Sequence, residues 1–218
     1  MRIQLLLSPN AEAVPFNHLH KLTGCLHKWM GPNKVHDNLS LYSFGWLQGG
    51  KPKNGALYFP QGARWNLSFY DGDMARKVLM GIINDPTLFA GIRVAEVQEI
   101  AVPKFGEQFR FLADGPVLVR NYNQEDKRVY LLHDMPEADR RLTEIMQRKL
   151  QSAGLPTDIK LRFDRTYPKP KTKLLEVKGI KHTGNLCPVV VEGPPEAVQF
   201  AWLVGAGELT GSGFGALM

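Results

Sequence analysis

The sequence predicts an α+β fold made of two consecutive β-α-β-β-α-β cycles. Three observations carry that reading. Short apolar runs bounded by Gly, Pro, Asn and Ser recur along the chain and read as strands. Two segments, residues 16–30 and 136–150, repeat apolar residues at helical spacing. The length of 218 residues suits two domains of about 100 residues each.

Residues 3–7 predict an opening strand, stopped by Ser8, Pro9 and Asn10. A helix is expected over 16–30, where Leu19, Leu22, Leu26 and Trp29 form one apolar face and Gly31-Pro32 ends it. Strands are expected at 39–47 and 65–70, with the segment QGGKPKNG between them. Residues 71–83 predict a helix with Asp71 or Asp73 near its start, and 92–102 a strand ended by Pro103. That order is the ferredoxin-like pattern.

The second cycle begins with short strands at 109–112, 117–120 and 128–132. The helix at 136–150 carries Pro136 in its first turn, and Gly154 and Pro156 follow it. Strands are expected at 157–163, 173–181 and 186–191, then a helix at 194–204 and a terminal strand at 214–217. The 109–132 region exceeds what the pattern needs. The reading is therefore two tandem ferredoxin-like domains, residues 1–103 and 104–218, argued from element order because the halves show no residue-level repeat.

Apolar residues make up 44% of the chain, enough to close a core, so a disordered chain is excluded. The net charge is +6, and its distribution says more than its size. Between Lys160 and Lys181 stand eight basic residues against two acids, Asp164 and Glu176. A basic stretch this concentrated suits a polyanion. Two cysteines, Cys25 and Cys187, do not make a disulfide scaffold and fit a reducing, cytoplasmic setting. The first residues lack the length and basic leader of a signal peptide, and no apolar run approaches the ~18 residues of a membrane span, so no membrane partner is expected.

The most specific motif closes the chain: Gly205-Ala-Gly207-Glu-Leu-Thr-Gly211-Ser-Gly213-Phe-Gly215. Glycine permits positive φ and close backbone approach, and successive N–H groups in such a loop can cradle a phosphate. The segment is not a P-loop, because no Gly-Lys-Ser/Thr follows, and it ends the chain where a dinucleotide fingerprint would open a helix. A tight loop around a final strand, with no ligand, is the competing explanation.

This ending resembles the glycine-rich signature of the CRISPR-associated repeat-processing endoribonucleases, within the wider repeat-associated RNA-binding superfamily. Lys178-Gly179, Gly184, Leu22, the His36-Asp37-Asn38 segment and LYSFGWL at 41–47 are similar to further parts of the family pattern. The resemblance implies tandem ferredoxin-like folds and CRISPR repeat RNA as partner. It implies metal-free, cofactor-free cleavage that leaves a 2′,3′-cyclic phosphate and a 5′-hydroxyl. Subunits of an interference complex are possible further partners, and the chain is expected as a monomer or homodimer. Non-cleaving members of the superfamily share much of the ending, so an RNA-binding or structural subunit is the alternative.

Such cleavage needs a base for the 2′-hydroxyl and an acid for the leaving oxygen, and histidine suits either role. Four of the six histidines, His18, His20, His27 and His36, lie in the first 36 residues. His36 follows the first helix where the family commonly places a catalytic histidine, and Asp37 fills the acidic place after it. His27, on the helix, is the second candidate, and His20 lies two helical turns before it. Tyr42 stands at about the spacing where some relatives carry a catalytic lysine, and its phenol can only donate or accept a hydrogen bond. It is kept as an auxiliary candidate. The RNA-binding candidates are Lys160, Arg162, Arg165, Lys169, Lys171, Lys173, Lys178 and Lys181, with Gly207, Gly211, Gly213 and Gly215. Tyr167 is a candidate for base stacking. No His, Cys or carboxylate spacing matches a metal centre.

Overall fold

The computed structural model describes residues 1–32, 39–122, 124–125, 127–177 and 179–218. The first half runs β1 (Arg2–Leu7), β2 (Val14–Pro15), α1 (Leu19–Met30), β3 (Tyr42–Phe44), β4 (Lys51–Lys53), β5 (Ala56–Tyr58), β6 (Ala63–Phe69), α2 (Gly72–Asn84) and β7 (Val94–Ile100). Its main sheet has the order β3-β6-β1-β7, every pair antiparallel. With α1 after β1 and α2 after β6, this is the expected β-α-β-β-α-β cycle. The register puts Ile3, Leu5 and Leu7 opposite Leu67, Trp65 and Ala63, and all six are buried. A two-residue side-chain period makes that alternation the inward face of the sheet.

Both helices cover this face. Leu19, Leu22, Leu26 and Trp29 of α1 are buried, as the spacing predicts. Asp71 caps α2 by accepting from the Asp73 amide at 2.8 Å, a contact worth about 1 kcal/mol. Gly81 lets the helices touch: a Cβ there would lie within 2.5 Å of the Trp29 Cα. The segment 48–58 holds more than a loop. Residues Asn54 (φ 49°) and Gly55 (φ 74°) turn a small hairpin of β4 and β5 that pairs with β2.

The second half runs β8 (Gln108–Phe111), β9 (Arg120–Tyr122), β10 (Arg128–Tyr130), α3 (Pro136–Ser152), β11 (Lys160–Phe163), β12 (Lys171–Val177), β13 (Ile180–Leu186), β14 (Val189–Glu192) and α4 (Pro195–Val204). Its sheet has the order β11-β14-β8, again antiparallel. The chain end adds the fourth place: Leu112 and Met218 exchange two backbone hydrogen bonds of 2.8 Å, and the Asp114 amide donates to Ala216 O at 2.8 Å. The ferredoxin-like order is thus repeated, and the excess elements are two hairpins, β9–β10 and β12–β13, set between its members. The single strand expected at 173–181 is not observed. Two strands meet there around Gly179 (φ 79°), a conformation that glycine adopts without strain.

Among the described residues, no helix is long and apolar enough to cross a membrane. Cys25 and Cys187 are both buried and free. Residues of the second half, Leu118, Leu175 and Phe214, pack into the first core, and Leu41 and Ile100 pack against the second.

Candidate nucleic-acid interface

The glycine-rich ending is the seam between the halves. Residues 205–207, 210–211 and 213–217 are buried. Gly205, Gly207, Gly213 and Gly215 have φ between 62° and 87°, and Leu209 is left-handed as well. Close neighbours explain the glycines without any ligand. A Cβ on Gly211 would lie 2.6 Å from the Tyr42 hydroxyl, and one on Gly213 would lie 2.9 Å from both Leu19 and Phe44. At Gly215 it would run into the Ala206 carbonyl oxygen. The Gly215 amide donates to Pro116 O at 3.0 Å and the Ala206 amide to Gly215 O at 2.8 Å. A Gly215→Ala variant combines left-handed strain of about 1–2 kcal/mol with that clash. Its expected loss of stability is roughly 2–4 kcal/mol, read from the urea midpoint. An unchanged midpoint would contradict the tight-packing account.

Polar anchors hold the seam from both sides. From the first half, Ser43 Oγ donates to Leu203 O at 2.9 Å and Trp46 Nε1 to Gly213 O at 3.0 Å. Thr210 Oγ1 donates to Tyr42 O at 3.0 Å. Arg2, 7% exposed, gives hydrogen bonds of 2.6 Å to Trp202 O and Leu217 O, and its guanidinium lies 3.9 Å from the Trp202 ring centre. From the second half, Lys149 Nζ donates to Val204 O, Gly205 O and Thr210 Oγ1 at 3.1–3.3 Å. Sequence reading gave no sign of this lysine, which lies on the inner face of α3 and looks like any helix cation.

The histidine-bearing helix is fixed at its far end. Lys28 Nζ donates to Asp85 at 2.8 Å and to Thr87 O at 2.6 Å, and Trp29 Nε1 donates to Asp85 O at 2.7 Å. His27 sits in this last turn and is partly exposed; His20 is exposed. His36, Asp37 and Lys34 lie outside the described residues. His18 turns inward: it is 5% exposed, and its Nδ1 donates to Pro15 O (2.9 Å) and Phe16 O (3.1 Å). Carbonyls only accept, so Nδ1 carries the proton. Tyr42 is 2% exposed and stacks with Phe69, and burial pushes its phenol up to about 12.

The basic candidates fall into two groups on different sheets. Lys160 and Arg162 point outward from β11 while Leu161 and Phe163 point inward, as their alternation predicts. Arg162 pairs with Glu192 at 3.4 Å, and Arg165 pairs with Asp139 and donates to Met135 O. Acids from outside the basic window thus offset part of its charge. Lys169, Lys171, Lys173 and Lys181 are exposed on or beside the β12–β13 hairpin, and Lys178 lies outside the described residues. The hairpin reaches the first half: Lys173 Nζ lies 4.6 Å from the Trp46 ring centre. A cleft of about 400 Å³ runs between the start of α1 and this hairpin, lined among others by His18, Trp46 and Lys173. Tyr167 sits by Arg110, whose guanidinium is 5.7 Å from its ring.

Residues 100–218 match the family model described as CRISPR associated protein Cas6, C-terminal. The chain belongs to the Cas6 family. No curated protein sequence matches it. Among the solved structures that share the Cas6-family chain's whole fold are these three. One, described as a Cas6-related gene product from Pyrococcus furiosus, has 20% identity and a TM-score of 0.86, covering 100% of this chain and 97% of its own. A second, a CRISPR associated protein Cas6, has 19% identity and a TM-score of 0.83, covering 100% and 98%. The third, a RAMP protein binding different RNA substrates, has 21% identity and a TM-score of 0.81, covering 100% and 98%. At these identities the likeness establishes the tandem fold of the Cas6-family chain.

Proposed function

We propose that this Cas6-family chain is a metal-independent endoribonuclease that cuts CRISPR repeat precursor RNA. The observation that carries the reading is the family match over residues 100–218. Residues 1–103 form the domain that supplies proton-transfer groups, and residues 104–218 the domain that supplies the basic hairpin, with the glycine-rich seam fixing one against the other.

In this mechanism a base removes the proton of an RNA 2′-hydroxyl, and that oxygen attacks the adjacent phosphorus. The P–O5′ bond breaks, an acid protonates the departing 5′-oxygen, and a 2′,3′-cyclic phosphate remains upstream. His36 is the first proton-transfer residue and His27 shares the work. Tyr42 acts by supporting the loop at Gly211, because a phenol this buried holds its proton. The exposed lysines of the hairpin bind phosphates, and Lys160, Arg162 and Arg165, on and after β11, form a second contact surface for the same RNA. Gly207, Gly211, Gly213 and Gly215, buried against protein neighbours, act on RNA only through the seam that they let close. The chain acts in the cytoplasm as a monomer or homodimer and hands guide RNA to interference-complex subunits or keeps it.

The test is incubation of the CRISPR repeat RNA of the encoding genome with the protein in excess EDTA. Cleavage at one phosphate is expected. A strict requirement for a divalent cation would contradict the mechanism, and tight binding with no cleavage across pH would favour a binding subunit instead.

A further inference from the structure

We infer that the cleft between the start of α1 and the β12–β13 hairpin is a pocket for one unpaired nucleobase of the bound RNA, with Trp46 as the stacking surface and Lys173 as the phosphate contact. The inference rests on the RNA-processing reading and adds to it a specificity site at the opposite end of α1 from His27. His27 lies eight residues beyond Leu19, about 12 Å along α1 from the end that lines the cleft.

Shape is the first argument. The volume of about 400 Å³ is at the low end of the ~300–1,000 Å³ of small-molecule sites, room for a nucleoside and too little for a duplex. The walls are mostly apolar: Phe16 is 53% exposed, Leu174 is 61% exposed, and Leu57 and Trp46 are partly buried. Trp29, Trp65 and Trp202 are all buried, while Trp46 is partly exposed and lines the cleft. Its indole N–H is committed to Gly213 O, which fixes the ring plane from the seam side. His18 makes a rigid wall, because Pro15 O and Phe16 O hold its ring. Burial lowers its pKa and keeps that wall neutral.

Charge selects the occupant. Among the described residues no carboxylate lines the cleft, and Lys173 stands over the Trp46 ring. Lys171 shares the strand face of Lys173, and both are exposed. An aromatic surface with Lys173 beside it and Lys171 farther along the same strand face matches a base joined to phosphates. A purely apolar partner would gain nothing from the cations. Base stacking on an aromatic side chain is sequence-tolerant and strong, while the lysines supply salt-dependent attraction. Repeat RNA offers such a base wherever it is single-stranded.

The experiment titrates the protein with oligo(A) and oligo(U) of equal length while following tryptophan emission. Saturating quenching is expected, and Trp46→Phe removes most of it. Trp46→Ala weakens binding by roughly 5- to 150-fold and leaves the salt dependence as it was. Lys173→Gln lowers the slope of log affinity against log salt by about one. Phe16→Ala, at an exposed position, is the variant that folds if Trp46→Ala loosens the seam, and it too weakens binding. Oligonucleotides that bind with no change in emission, and with affinity indifferent to Phe16→Ala, would overturn the pocket while sparing the RNA-processing reading. That result is also the one expected if the cleft seats an apolar peptide. A wild-type protein that binds neither oligonucleotide nor repeat RNA would overturn both.

Discussion

Replacing His36 with alanine lowers the single-turnover cleavage rate of repeat RNA by about 10²–10⁴-fold and leaves RNA affinity unchanged. A positioned proton-transfer group is worth that much, and it acts in the transition state rather than in binding. An ordinary imidazole titrates near ~6.5, so the wild-type rate–pH curve bends close to neutrality and the variant loses that limb. His27→Ala gives a smaller loss if the two histidines share the proton work. Full activity in the His36 variant would move the chemistry to another group and leave the family assignment intact.

Replacing Lys149 with methionine destabilises the protein by roughly 2–4 kcal/mol at neutral pH. The side chain is 2% exposed, and its ammonium serves two carbonyls and one hydroxyl at the seam. Methionine fills similar space and leaves all three acceptors unpaired, at about 1–3 kcal/mol for each buried group. Relief of the buried charge offsets part of that cost. Burial lowers the Lys149 pKa to about 7 from 10.5. Between those values the unfolded chain keeps a proton that the folded chain has released. Stability therefore rises with pH through that window, by up to about 1.4 kcal/mol per unit. Urea midpoints of the wild type at several pH values should climb from neutrality upward, and those of Lys149→Met should lack this climb. Equal midpoints and equal slopes would refute the role given to this lysine.

The periodic parts of the fold were legible because local pattern and tertiary packing agree there. Leu19, Leu22, Leu26 and Trp29 mark the buried face of α1, and Leu142, Ile145, Met146 and Leu150 mark that of α3. The Asn54-Gly55 turn carried a hairpin signal of known mechanism, yet the surrounding glycines and lysines resembled a plain loop. The run at 173–181 misled for a related reason. A hairpin that turns at Gly179 leaves little mark in the sequence, and exposed lysines stand on both of its strands.

The site was legible unevenly. Residue type and spacing pointed to the lysines of the hairpin, but the offset of Arg162 by Glu192 and of Arg165 by Asp139 depends on contacts distant in sequence. Five glycines in eleven residues announced an unusual backbone. They did not announce that Tyr42, Ser43 and Trp46 of the first half and Lys149 of the second would hold it. Trp46 and His18 gave no sequence signal of a shared cleft, because nothing local places α1 beside a strand more than 150 residues later.

The central claim is that the RNA supplies its own nucleophile. Its most direct test is a repeat RNA carrying a single 2′-deoxy nucleotide immediately upstream of the cut phosphate, assayed under single turnover in EDTA. Binding equal to that of the all-ribose RNA with no cleavage at that phosphate is the predicted result. Cleavage of the 2′-deoxy substrate at the wild-type rate, at the same phosphate, would contradict the account.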